Sequence, residues 1–403
     1  MTTGVSAGRA IPVRSSGPVP FLDISGATED VAAEVRLGWD ELLGNGQYVG
    51  GAAVSRFEQE WAEYCGTDFA VGVANGTDAL HLAMRALGIG PGDEVIVPAN
   101  TFVATAEAVV LAGAVPRFAD VDDGTLLLTP ETIKAAVTPA TKAVAVVHLY
   151  GQLPDLTAIS QTCESLGLIL IEDAAQAQGA TWAGRRAGSF GVVGCFSFYP
   201  GKNLGAFGDA GAVVTSDAGL NQLMLSIRDH GRMQSADGHH SHAVLGMNSR
   251  LDGVQAVVLS AKLRRLEEWN EKRRELMATY RELIDPKRAK FVEQLAEGAG
   301  VHHLAVVQVD QRDRVRELLA ERGIGTGIHY PVPCHLMEPY AQYADGSLPV
   351  VEAAAGRQLS LPMFPHLSQE NARRVAEELN AVLAELAEQE TSLGGSVRME
   401  VAG

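Results

Sequence analysis

Leu168-Ile169-Leu170-Ile171-Glu172-Asp173-Ala174-Ala175-Gln176 runs from an uninterrupted apolar segment straight into two acids. A strand that is apolar at every position is buried on both faces, the condition of a strand inside a parallel sheet covered by helices. Working outward, apolar and β-branched runs recur at 69–73, 94–98, 115–120, 142–149, 193–198 and 211–215, alternating with amphipathic stretches. Between the first two runs, Leu80, Ala83, Met84 and Leu87 stand at helical spacing over 78–87, as a helix packed on a sheet requires. The expected class is α/β, a doubly wound, mostly parallel sheet covered by helices.

The strand signal stops at 254, where a long charged helix over 254–283 carries Leu259, Leu263 and Leu266 as its apolar stripe. Beyond it, 303–309 reads as a strand, 312–321 as a helix ended by Gly323, and 371–386 as an amphipathic closing helix. The expected organisation is a large domain over 21–255 and a linking helix with a smaller α+β domain over 256–390. Residues 1–20 and 391–403 are expected to be loose tails.

The chain has 403 residues, long enough for this division. Acids outnumber Lys and Arg 49 to 32, a formal charge of −17. With no long basic run to track a phosphate backbone, nucleic acid is an unexpected partner. No span is apolar for long enough to cross a bilayer, so a membrane is not expected either. Cys65, Cys163, Cys195 and Cys334 lack paired-ligand spacing, which points to reduced thiols in the cytoplasm. His239, His240 and His242 lack an assigned metal-binding geometry, and no metal is expected.

Three motifs carry chemistry. Asn75-Gly76-Thr77-Asp78 ends a strand and opens a helix, where free backbone N–H groups and the helix dipole suit a phosphate. An ordinary helix cap reads the same way. The acids at 172–173 lie at a strand's carboxyl end, where open α/β sheets bind ligands. A buried carboxylate there needs a cationic partner or several hydrogen bonds to remain ionised, and a protonated pyridine nitrogen would supply the first. The bland alternative is an acid capping the next helix. Phe196-Ser197-Phe198-Tyr199-Pro200-Gly201-Lys202-Asn203 presents one lysine on a Pro-Gly turn among aromatic neighbours. Most lysines are solvated surface charges, but desolvation here would lower the pKa of Lys202 and suit it to Schiff-base chemistry.

Phosphate cradle, pyridine-nitrogen partner and Schiff-base lysine stand in the order of fold-type I enzymes that use pyridoxal 5'-phosphate (PLP). More specifically, 21–386 resembles the DegT/DnrJ/EryC1/StrS family of sugar aminotransferases. The resemblance is carried by Gly92-Asp93-Glu94-Val95-Ile96-Val97-Pro98, His148-Leu149-Tyr150-Gly151, Glu172-Asp173-Ala174-Ala175-Gln176-Ala177 and the lysine motif. It implies that Gly76, Thr77 and the Ser197 hydroxyl bind the PLP phosphate and that Asp173 pairs with the ring nitrogen. It further implies that Gln176 bonds the ring hydroxyl, Phe102 stacks on the ring, and Lys202 holds the cofactor and moves protons. Asn248, in Gly246-Met247-Asn248-Ser249-Arg250, corresponds to an asparagine reaching the neighbouring subunit's phosphate, which implies a homodimer with shared sites. Gly327-Ile328-His329-Tyr330-Pro331 resembles the segment shaping the nucleotide-sugar site, making His329 and Tyr330 the candidate substrate contacts.

The implied reaction moves an amino group from L-glutamate or L-glutamine, through the pyridoxamine 5'-phosphate form, to a keto sugar. The Asn248-Ser249-Arg250 context resembles members acting at a 3-keto position, here a dTDP-linked 6-deoxyhexose. A 4-keto sugar or a cyclitol ketone are the alternatives. A related PLP-dependent sugar dehydratase would carry histidine at position 202. A nicotinamide oxidoreductase would need a G-x-G-x-x-G turn that 75–77 does not supply. A non-catalytic PLP-binding regulatory protein would have lost part of the set Thr77, Asp173 and Lys202.

Overall fold

The computed structural model describes residues 17–234 and 240–400, the side chains of Gln234, His240 and 390–400 excepted. Seven strands build the central sheet: β1 (Phe69–Val73), β2 (Glu94–Pro98), β3 (Val115–Ala119), β4 (Thr141–Val147), β5 (Ile169–Asp173), β6 (Val193–Ser197) and β7 (Gly211–Thr215). Their spatial order is β1-β7-β6-β5-β4-β2-β3. Every pairing is parallel except those β7 makes with β1 and β6.

The unbroken apolar runs arise because the sheet is covered on both sides. Ile171, Ala145 and Val97 point into one core while their neighbours Leu170, Val144 and Ile96 point into the other, as the alternation of side chains along a strand demands. Each fully buried valine, leucine or isoleucine of this kind contributes roughly 1.5–3 kcal/mol. β3 and β4 stop short of their expected ends at 120 and 149. After β4 the chain leaves the sheet at His148 and enters a short turn, Leu149–Gly151. Helix Gly76–Ala86 follows β1 and buries Leu80, Ala83 and Met84 on the sheet.

In the second half, β8 (Lys290–Phe291), β9 (Ala305–Gln308) and β10 (Gln358–Leu361) form an antiparallel sheet in that order. Helices Leu266–Leu283, Arg312–Glu321 and Gln369–Glu400 share its core. Gly323, at φ 76, takes the left-handed conformation just past the second of these helices.

Three expectations need correction. The single helix over 254–283 is two, Gly253–Leu263 and Leu266–Leu283, broken at Arg264-Arg265. The first packs on helices Ala32–Asn45 and Gly51–Cys65, the second on the closing helix. Periodicity missed the break because both pieces carry apolar stripes and no Gly or Pro marks it. The expected loose tail over 1–20 is tied down at its end: Val19 is buried, donates its N–H to the Gly323 carbonyl and accepts from the Gly325 N–H. The closing helix continues to Glu400, past residue 391, where a tail was expected.

All four cysteines are buried and free. Among the described residues no helix is long and apolar enough to cross a membrane. His239 and the side chain of His240 lie outside the described residues.

Candidate active site

The carboxyl ends of β5 and β6 and the start of helix Gly76–Ala86 open onto one cavity of about 470 Å³. It is lined by Gly76, Thr77, Phe102, Asp173, Gln176, Ser197, Lys202, His329 and Tyr330, residues spread over 255 positions of sequence. Of the ten side chains and glycines expected at the site, only Asn248 is elsewhere. It is exposed and makes an isolated antiparallel bridge to Asp229.

The acids at the end of β5 divide their work because consecutive strand residues face opposite ways. Glu172 turns from the cavity and is fully buried. It accepts from the backbone N–H of Gly188 (2.8 Å), Phe190 (2.6 Å) and Gly191 (2.7 Å), and meets His148 Nε2 at 2.8 Å. Asp173 turns into the cavity, accepting from Thr105 Oγ1 at 2.7 Å and from the Ala175 N–H at 3.2 Å. No helix follows it, so the capping alternative falls away. Burial pushes the Asp173 carboxyl up, against the lowering effect of these two hydrogen bonds and of the Lys202 and His148 charges. A cation on its free lone pairs would relieve that penalty.

Lys202 rides on the turn after β6, closed by its N–H on the Tyr199 carbonyl at 2.8 Å. Burial pulls its ammonium down to about 8, against the opposing pull of Asp173. It is therefore no ordinary surface lysine. At pH 7 roughly a tenth of it is free amine, far more than of an ordinary lysine.

At the helix start, Asn75 Oδ1 caps the Asp78 N–H at 2.8 Å, leaving the first-turn N–H groups of Gly76 and Thr77 without an intrahelical acceptor. Gly76 lies so close to Ser197 that an added Cβ would sit 2.6 Å from the serine Cβ. The backbone and the Ser197 hydroxyl thus converge on one small polar volume.

Gln176 links the two halves. Its Oε1 accepts from the Tyr150 N–H at 2.7 Å and its Nε2 donates to the Tyr330 hydroxyl at 3.0 Å, leaving a second amide proton. Phe102 is 53% exposed, which a core phenylalanine would not be, and its ring lies 5.8 Å from that of Tyr330. His329 bonds Ser360 Oγ through Nδ1 at 2.9 Å and stacks on Phe21 at 5.6 Å. Burial, then the Lys202 charge, lower it to about 4, so it is a neutral imidazole.

Sequence reasoning missed Phe21, Thr105, His303 and Met363. Three of them line the cavity, and Thr105 holds Asp173. Thr105 left one trace, a polar residue between Ala104 and Ala106 in the helix Ala104–Leu111, whose other polar residue is Glu107. The other three had none, because they reach the cavity by the docking of distant segments.

The profile of the DegT/DnrJ/EryC1/StrS aminotransferase family matches residues 30–380. A dTDP-3-amino-3,4,6-trideoxy-alpha-D-glucose transaminase from Streptomyces venezuelae is 45% identical over 360 residues, 89% of this chain and 94% of that one. Among solved structures, S. venezuelae DesV in complex with a ketimine intermediate superposes with a TM-score of 0.88 at 44% identity, covering 91% of this chain and 99% of that one. Bacillus subtilis NtdA with bound cofactor PMP superposes with a TM-score of 0.85 at 32% identity, covering 92% and 86%. The chain belongs to the DegT/DnrJ/EryC1/StrS aminotransferase family. It is a PLP-dependent aminotransferase with the fold of that class. The residues present fit the cofactor: a buried carboxylate short of a cation, a lysine with a depressed pKa, and a cradle into which no side chain fits at Gly76.

Proposed function

We propose that this aminotransferase moves an amino group from L-glutamate or L-glutamine to a nucleotide-linked keto sugar, a dTDP-linked 3-keto-6-deoxyhexose. The reading rests on one observation above all: Lys202, Asp173 and the Gly76–Ser197 cradle share a cavity in a chain 45% identical to a transaminase named for a dTDP-3-amino sugar.

In this reading the Thr77 and Ser197 hydroxyls and the first-turn N–H groups at Gly76 and Thr77 bind the cofactor phosphate. Asp173, held by Thr105, pairs with the ring nitrogen, Gln176 donates its spare amide proton to the ring hydroxyl, and Phe102 stacks on the ring. Bound PLP supplies an electron sink for the carbon from which a proton is removed. Lys202 holds the cofactor and, once freed, carries that proton as general base and then general acid, a task suited to an amine that titrates near neutral pH. His329 and Tyr330, on the opposite wall, contact the substrate. Lysine at position 202 disfavours the dehydratase reading, and the intact set Thr77, Asp173 and Lys202 disfavours a non-catalytic regulator. The buried free thiols suit a reducing, cytoplasmic setting.

The substrate is tested by converting the purified protein to its pyridoxamine 5'-phosphate form and offering nucleotide-linked 3-keto and 4-keto sugars. Return of the PLP absorbance with a dTDP-linked 3-keto sugar supports the reading, and a response to 4-keto sugars alone rejects its regiochemistry.

We further infer a homodimer in which Asn248 completes the partner's phosphate cradle, since it is exposed and stands apart from its own cavity. Mixing Lys202→Ala chains with chains carrying a bulky Asn248 replacement tests this. A heterodimer then holds one intact site and activity returns, whereas an Asn248 serving its own subunit leaves a lesion in every site.

A further inference from the structure

The segment His148-Leu149-Tyr150-Gly151 has no part in the reaction as described, yet it lies where the two halves of the molecule meet. Tyr150 is buried there, 4% exposed. Its backbone stands at φ 64, a left-handed conformation that costs a bulky residue free energy and persists only where the surroundings hold it. Three polar groups of the residue supply that hold. The Tyr150 N–H donates to Gln176 Oε1 at 2.7 Å, its carbonyl accepts from the Leu304 N–H at 3.4 Å, and its hydroxyl donates to the His329 carbonyl at 2.9 Å. All three partners line the cavity.

The backbone and the side chain act on different walls. A backbone N–H can only donate, so it fixes the Gln176 amide with Oε1 toward the turn and Nε2 toward the Tyr330 hydroxyl, 3.0 Å away. Any residue but proline at position 150 has that N–H. The hydroxyl belongs to tyrosine alone. It shares its one proton between the His329 carbonyl and Gln358 Oε1, at 2.8 Å, and accepts from Asn100 Nδ2 at 3.3 Å. Asn100 follows β2 in the large sheet and Gln358 opens β10 in the smaller one, so the hydroxyl pins one half to the other. Burial pushes the phenol above its ordinary value, which keeps its proton in place at neutral pH. Ser360 holds the His329 ring from within the second half, and Tyr150 holds the backbone of the same residue from the first.

We propose that Tyr150 is a positioning residue for the substrate wall: its hydroxyl, bonded to the His329 carbonyl, sets where the His329 and Tyr330 side chains stand opposite Lys202 and Asp173. The proposal rests on His329 and Tyr330 being the substrate contacts, which their own variants test separately.

Tyr150→Phe removes one oxygen and keeps the N–H that holds Gln176. With a dTDP-linked 3-keto-6-deoxyhexose as the probe and the amino donor saturating, KM for the sugar should rise about tenfold with kcat little changed and the PLP absorbance of the resting enzyme unaltered. A structural role alone would lower the melting temperature and the fraction of active protein and leave KM where it was. An unchanged KM in Tyr150→Phe, where His329→Gln and Tyr330→Phe raise it, overturns the proposal and leaves the substrate reading standing. An unchanged KM in all three variants removes both. A second arm needs no substrate. In holoenzyme labelled with 3-fluorotyrosine, the fluorine-19 signal of Tyr330, identified by its loss in Tyr330→Phe, should shift in Tyr150→Phe, while that of Tyr280, buried in the core of the second half, stays. A Tyr330 signal that does not move also overturns the proposal.

Discussion

The two walls of the cavity are built differently. The sheet wall takes Gly76, Asp173, Ser197 and Lys202 from strand ends and the turns beside them, so each is delivered by the element that precedes it. The facing wall takes Phe21, His303, His329, Tyr330 and Met363 from four separated places. It meets the sheet wall through the turn after β4. Gly151, at φ 88, approaches the 301–304 segment so closely that a Cβ would lie 2.8 Å from the His303 nitrogen. The Gly151 carbonyl accepts from the Val301 N–H at 2.8 Å, and Gln176 reaches across to Tyr330. The groups proposed to hold the cofactor sit on one sheet, while the proposed substrate contacts sit on the half that docks onto it.

If that division is right, changes on the sheet wall should cost the most. Lys202→Ala should keep the fold and bind PLP noncovalently while kcat falls by roughly 10⁴-fold, the upper range for a lost proton carrier. Borohydride reduction of the wild type followed by peptide mapping should place the cofactor on Lys202, and a label on another lysine would break the assignment. Asp173→Asn should fold yet lose about 10²- to 10³-fold in kcat, because a neutral amide no longer holds the ring nitrogen protonated. A near-normal rate would give Asp173 another role.

Glu172→Gln sharpens the contrast between neighbours. It removes a carboxylate that accepts three backbone N–H groups and pairs with His148, and its amide presents two donors to those donors. Urea unfolding should show a loss of about 3 kcal/mol, and any rate change should follow the loss of folded protein.

Lys202 also leaves a signature in stability. Its folded value of about 8 lies below the unfolded 10.5, so between those values the unfolded chain binds more protons and stability rises with pH. Apoprotein unfolding should therefore show the wild type gaining on Lys202→Met from about pH 8 to pH 10, by on the order of 1 kcal/mol after screening. A stability difference between the two proteins that stays flat over that range would mean that the amine is solvated. The smallest effect belongs to the facing wall. Tyr330→Phe removes one hydrogen bond to Gln176, worth about 1 kcal/mol, so kcat/KM for the sugar should fall several-fold while the PLP absorbance is unchanged.

What the chain's sequence determined is everything that one element carries by itself. The seven strands of the large sheet were legible because burial on both faces forces unbroken apolar runs. Asp173 and Lys202 stood out because a charge beside such a run is costly without a purpose. Tertiary structure alone decided the rest. The break at Arg264-Arg265 follows from two packing partners, and Val19 is pinned by a loop some three hundred residues away. The separate fates of Glu172 and Asp173 depend on what lies above and below β5. Asn203 meets Asn270, the Val301 carbonyl and the His303 ring only after the halves dock. Local periodicity encodes which face of an element is buried, but not which distant donor or acceptor will be waiting there.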